Sequence, residues 1–185
     1  MDLAALQQQL QQTNLPPVES WNPPFCGDLP LHIASNGDWY YQQSKIERLG
    51  LVKLFASVLL QQNGEYFLQT PAEKVRISVE DSPFVVTQYQ WQATPLGPAL
   101  CLTTNLQHQL LVSPQYPILL HSDPHQQLLP YLHLWRGLCA KLHRNVYYKL
   151  AEQCHAVYCN GAVHYQLKSA GFTFSMAITN EEFGR

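Results

Sequence analysis

Apolar and polar positions alternate with two different periods along this chain. Residues 2–12 place Leu3, Leu6 and Leu10 at helical spacing among glutamines. Residues 15–24 carry four prolines and read as a linker. A hairpin follows: LHIAS and DWYYQ flank Asn36-Gly37, a pair suited to a type I′ turn because both central residues need positive φ. Ser44 is a candidate helix cap, and residues 46–61 return to helical spacing through Leu49, Val52, Phe55 and Val58. Asn63-Gly64 is expected to end that helix.

From there to residue 120 the pattern predicts strands at 65–70, 74–80, 84–94, 99–104, 109–112 and 117–120. They are rich in β-branched and aromatic residues and separated by Pro, Gly and Asn. A polar loop at 121–127 precedes a short strand at 131–135 and a second helix expected over 142–157. Two final strands, 163–167 and 172–176, are joined through Ala170-Gly171.

A repeat organises these elements. Trp39, Lys45, Ile46, Arg48, Lys53 and Leu54 recur at one constant offset as Trp135, Lys141, Leu142, Arg144, Lys149 and Leu150. Asn63-Gly64 and Asn160-Gly161 follow the two copies. The expected fold is α+β: two small domains built from a duplicated strand-helix-strand motif, with mostly antiparallel sheets. The expected divisions are 1–24 (helix and linker), 25–80 and 81–185.

Composition narrows the functions open to such a chain. Charged residues make up 13% of it, against about 25% in an average domain. Eleven basic residues are set against thirteen acidic ones, for a formal charge of −2. No basic surface for bulk nucleic acid is expected from that balance. Five scattered cysteines, an N-terminus without the pattern of a signal peptide and no apolar run long enough to span a bilayer point to a cytoplasmic protein.

Glycine-rich phosphate loops, GxSxG and HExxH are absent from the sequence. Cys154, His155, Cys159 and His164 fit no zinc spacing, and Cys154 is read as a structural thiol inside the second helix. The eight histidines suggest half-exposed strand positions rather than a triad. No catalytic residue and no metal ligand is assigned, and any cofactor is unknown.

Arg48 and Arg144 are less easily read as surface residues. Each falls in the first turn of its expected helix, where the macrodipole disfavours a cation, so each is expected to have a fixed partner: an internal carboxylate first, an anionic ligand second. Glu80-Asp81-Ser82-Pro83 and Thr103-Thr104-Asn105 read either as strand-end turns or as polar groups facing a cleft.

Taken in order, Pro24-Phe25-Cys26-Gly27, Gly37-Asp38-Trp39-Tyr40-Tyr41, Ile46-Glu47-Arg48, Thr70-Pro71-Ala72-Glu73-Lys74, Val79-Glu80-Asp81-Ser82-Pro83-Phe84, Thr104-Asn105 and Arg144-Asn145-Val146-Tyr147-Tyr148 resemble domain of unknown function family 1285 of bacteria. The resemblance spans residues 24–176 and departs at Gln107-His108, where an acidic residue is expected. It implies a pleckstrin-homology-like C-terminal half, a part in signal transduction, and a binding site at the domain interface suited to a nucleotide-like ligand. Carried over by position, its candidate ligand-binding residues are Trp39, Arg48, Lys53, Glu73, Lys74, Glu80, Asp81, Asn105, Arg144 and Tyr148. The alternatives are an adaptor that binds a protein partner without a small ligand, and a weak enzyme using Glu80 and Asp81.

Overall fold

A computed structural model describes residues 15–180, so the expected helix at 2–12 lies outside the described residues. The chain divides into two units: residues 1–83 with Trp135–Leu138, and residues 84–134 with 139–185.

Unit 1 opens with a single 3-10 turn, Val18–Ser20. Strands β1 (Phe25–Ile33), β2 (Trp39–Tyr41) and β3 (Ser44–Lys45) form an antiparallel meander. Helix α1 (Leu49–Ser57) leads to a second meander, β4 (Leu59–Gln62), β5 (Glu65–Gln69) and β6 (Lys74–Val79). The two meanders join through the parallel pair β1 and β6, giving the sheet order β3-β2-β1-β6-β5-β4. Strand alternation sends Leu31, Ile33, Val75 and Ile77 to one face, where they are buried, and leaves Asp28, His32, Arg76 and Ser78 on the other. Val52, Leu54 and Ala56 of α1 are buried as well, and Trp39 stacks on Phe55 at 6.4 Å.

Unit 2 repeats the sheet plan. Strands β7 (Phe84–Thr94), β8 (Gly97–Thr104) and β9 (Gln109–Leu111) form one antiparallel meander. Strands β10 (Ile118–Ser122), β11 (Leu128–His133) and β12 (Cys139–Leu142) form another. The parallel pair β7 and β12 joins them in the order β10-β11-β12-β7-β8-β9. Helix α2 (Arg144–Ala151) then leads to a three-stranded antiparallel sheet, β13 (His155–Cys159), β14 (Ala162–Ser169) and β15 (Phe172–Asn180).

The described chain is thus mostly sheet with two helices. Pairing is mostly antiparallel, with one parallel pair in each six-stranded sheet. The sequence repeat marks a unit larger than strand-helix-strand: each helix stands between two antiparallel three-stranded meanders.

Both helices are shorter than the apolar spacing predicts, for one reason. Asn63-Gly64 has φ of 54° and 84°, the geometry of a type I′ turn, and it pairs Gln62 with Glu65 rather than ending a helix. Residues 59–62 therefore belong to β4. Asn160-Gly161, with φ of 51° and 79°, does the same for Cys159 and Ala162, so α2 ends at Ala151 and Cys154 lies beyond it. A short apolar run fits either period, and the turn chemistry decides. Asn36-Gly37 departs in the other direction. Only Gly37 has positive φ, Gly37 N–H donates to Ala34 O, and Ala34 N–H donates to Asp38 O, a wider turn that ends in a glycine bulge.

Candidate functional site

A cleft of about 500 Å³ opens in unit 1, lined among others by Trp21, Asn22, Phe25, Gln62, Lys74 and Arg136. Its rim depends on buried Gln69, whose Nε2 donates to Val18 O and Trp21 O, both at 2.9 Å, and so holds the 3-10 turn beside β5. Its floor depends on Trp135–Leu138, a turn with φ of 56° at Arg136 and 70° at Gly137. A Cβ on Gly137 would stand 2.8 Å from Gln61 Oε1 and 3.1 Å from Gln61 O, so only glycine fits.

The two cations of this cleft differ in kind. Arg136 has a side chain only 3% exposed. It donates to Glu19 Oε1 at 3.1 Å, to Ser57 O at 2.6 Å and to Pro16 O. Burial pushes its pKa down and the Glu19 carboxylate opposes that, so the guanidinium is a structural clamp with its charge already engaged. Among the described residues Lys74 has neutral partners: Nζ donates to Gln62 Oε1 at 2.5 Å and lies 4.2 Å from the Phe67 ring centroid. Phe25 packs edge-on to Phe67 at 6.3 Å and is 57% exposed. An ammonium group, an open aromatic ring and side-chain amides therefore line one cavity. Such groups are chemically able to pair with an anion and to pack against a planar ring, and the Glu19 carboxylate that shares the lining is engaged by Arg136.

The remaining candidates lie in several places. Glu73 lines a second, mainly apolar groove of unit 1 with Tyr41, Lys45, Ile46 and Phe55. Trp39 is 1% exposed and is core packing rather than an open stacking face. Arg48 is the N-cap residue of α1, exposed, and no side-chain hydrogen bond or ion pair engages it among the described residues. The internal carboxylate expected for it is not present there. Lys53 is half-buried on α1, and Asp81 is half-buried just past β6. In unit 2, Arg144 likewise meets no carboxylate among the described residues; its Nε donates to Tyr148 Oη at 3.1 Å, one helical turn away. Tyr148 is 48% exposed. Asn105 acts on the fold: Oδ1 accepts from Val85 N–H at 3.1 Å, and its own N–H donates to Val85 O at 2.7 Å.

Glu80 belongs to a cluster the sequence reading passes over. Its Oε2 accepts from Ser35 N–H at 2.7 Å and its Oε1 meets His32 Nε2 at 3.0 Å. The Ser35 N–H, with help from His32, holds this carboxyl below the usual carboxylate range. On the far side of the ring, His32 Nδ1 lies 2.9 Å from Ser78 Oγ. Arg136 and this cluster were both missed for the same reason: their partners are 45 to 120 residues away in sequence.

Residues 16–82 match the family model described as the N-terminal domain of DUF1285, a domain of unknown function. Residues 83–176 match the model of the DUF1285 C-terminal domain. The chain is 32% identical to a DUF1285 family protein from Silicibacter pomeroyi DSS-3 over 92% of its length and 93% of that chain, with a TM-score of 0.77. It is 31% identical to a DUF1285 family protein from Shewanella baltica OS155 over 69% of its length and 94% of that chain, with a TM-score of 0.54. No curated protein matches it. With both family models covering the chain in order, it belongs to the DUF1285 family.

Proposed function

We propose that this protein is a small-ligand-binding module, and that the cleft around Lys74 takes a nucleotide-like ligand. One observation carries the reading: an ammonium group with no carboxylate on it among the described residues shares a cavity with the open ring of Phe25 and the amides of Asn22 and Gln62. Phosphate would meet Lys74, a base would lie against Phe25, and the amides would read the base edge. A ligand bound only by the folded state raises the melting temperature with the logarithm of its concentration. A thermal-shift panel of nucleotides and their cyclic forms should give such a rise, and Lys74→Ala should remove it without lowering the melting temperature of the free protein. A flat response across the panel would refute the reading.

A role in signalling and a pleckstrin-homology-like origin of unit 2 rest on the resemblance; two largely antiparallel sheets and one helix support the second. The element order departs from that comparison, since three strands follow α2. An adaptor is the second reading. It is favoured by β13, an edge strand whose five residues are all exposed, Tyr158 by 59%. Cys26, Cys101, Cys154 and Cys159 carry free thiols, which supports a cytoplasmic setting. Among the described residues no helix is long and apolar enough to cross a membrane.

A further inference from the structure

We propose that Ser78, His32 and Glu80 form a serine-based acyl-transfer site that hydrolyses small carboxylic esters, a chemistry separate from ligand binding at the Lys74 cleft. The three side chains make a continuous hydrogen-bonded chain: Ser78 Oγ to His32 Nδ1 at 2.9 Å, then His32 Nε2 to Glu80 Oε1 at 3.0 Å. Ser35 N–H fixes the other carboxylate oxygen at 2.7 Å. A carboxylate only accepts, so the ring nitrogen facing Glu80 carries the proton. The lone pair is then on Nδ1, aimed at the Ser78 hydroxyl. A nucleophile, a base in the correct tautomer and a group that orients the base are the parts that activate a serine.

The strand register builds this arrangement. β1 and β6 run parallel with Asp28 opposite Arg76 and His32 opposite Ser78. Four residues of β1 span the interval that two residues of β6 span, and this irregularity brings His32 level with Ser78. Ser78 opens onto a groove of about 450 Å³ that Tyr66, Gly64 and Arg76 also line. Arg76, two positions earlier on the same face of β6, donates three of its five N–H groups to Asp28 and Glu65, which fixes this wall of the groove.

Ser78 Oγ attacks the ester carbonyl carbon and forms the Oγ–C bond as its proton passes to Nδ1 of His32. The tetrahedral adduct collapses with cleavage of the bond to the alcohol oxygen, which takes the proton from Nδ1. Water, deprotonated by the same nitrogen, then adds to the acyl-serine. Breakdown of that adduct releases the carboxylic acid and returns the proton to Ser78.

The test treats the intact protein with a fluorophosphonate probe, locates any adduct by peptide mass spectrometry, and follows p-nitrophenyl acetate hydrolysis in parallel. The expected result is one adduct, on Ser78, and hydrolysis that Ser78→Ala abolishes. His32→Asn should slow both about 100-fold or more. Glu80 acts through His32, so Glu80→Gln should slow acylation about tenfold or more with only a small fall in melting temperature, and Glu80→Asp should restore part of the rate. Two outcomes overturn the proposal: wild-type protein that remains unlabelled at Ser78, or ester hydrolysis as fast after Ser78→Ala as before. Neither outcome depends on whether nucleotides bind.

Discussion

Arg136→Ala should be among the most damaging single changes to a polar residue in unit 1. The substitution removes bonds from a guanidinium to two backbone carbonyls, Pro16 O and Ser57 O, and one to the Glu19 carboxylate. A hydrogen bond to a charged group contributes about 1.5–3 kcal/mol. The Glu19 bond counts for less, about 0–1 kcal/mol, because that carboxylate is 61% exposed. The desolvation cost recovered when the buried cation is deleted offsets part of the sum. The net loss is about 3 kcal/mol, equivalent to a fall of about 6–12 °C in melting temperature for a chain of this size.

Urea unfolding and thermal melts of Arg136→Ala, Arg136→Lys and Glu19→Gln would separate these contributions. Lysine keeps the charge but lacks the fork that reaches two carbonyls, so it should recover less than half the loss. Glu19→Gln should cost about 1 kcal/mol or less. If Arg136→Ala cost under about 1 kcal/mol, or Glu19→Gln cost as much as Arg136→Ala, the clamp described here would be wrong.

Three further outcomes follow from burial and titration. Trp39→Ala should cost about 3–5 kcal/mol of stability. Trp39→Phe should cost far less, because the indole Nε1 is buried with no hydrogen-bond partner among the described residues; chemical denaturation of both variants checks this. Asn105→Ala should lose about 1 kcal/mol by removing the bond to Val85 N–H, and calorimetry with any nucleotide that binds should find its affinity unchanged. Burial, then the neighbouring His121, lowers the pKa of His133. A histidine depressed in the fold adds stability above its unfolded pKa, and that stability is lost as pH falls through the folded value. Melts taken from pH 7.5 to pH 5 should therefore drop more steeply for wild type than for His133→Gln.

The strand content was legible because β7 and β15 carry β-branched and aromatic residues bounded by turn residues. The repeat was legible because Trp, Lys and Arg recur at a fixed offset with an Asn-Gly pair after each copy. The β4 and β13 strands were not, since LLQQ and HAVYC each continue an apolar helix spacing and only their Asn-Gly turns reassign them. Pairing of β1 with β6 could not be read at all, because parallel register leaves no local signature. The candidate site suffers from the same limit. Lys74 stands out in the resemblance, but Arg136 looks like a surface residue beside a tryptophan until the fold brings it to Ser57 O and Pro16 O. Trp39 enters the candidate site only through the resemblance, and sequence cannot distinguish a buried ring from an open one.

The most direct test of the ligand-binding reading is to locate the ligand. Amide chemical-shift mapping during titration with the nucleotide that gives the largest thermal shift would do so residue by residue. The account predicts saturable shifts at Trp21, Phe25, Gln62 and Lys74, abolished in Lys74→Ala. Shifts confined to the α2 face around Arg144 and Tyr148, or none at any concentration, would contradict it.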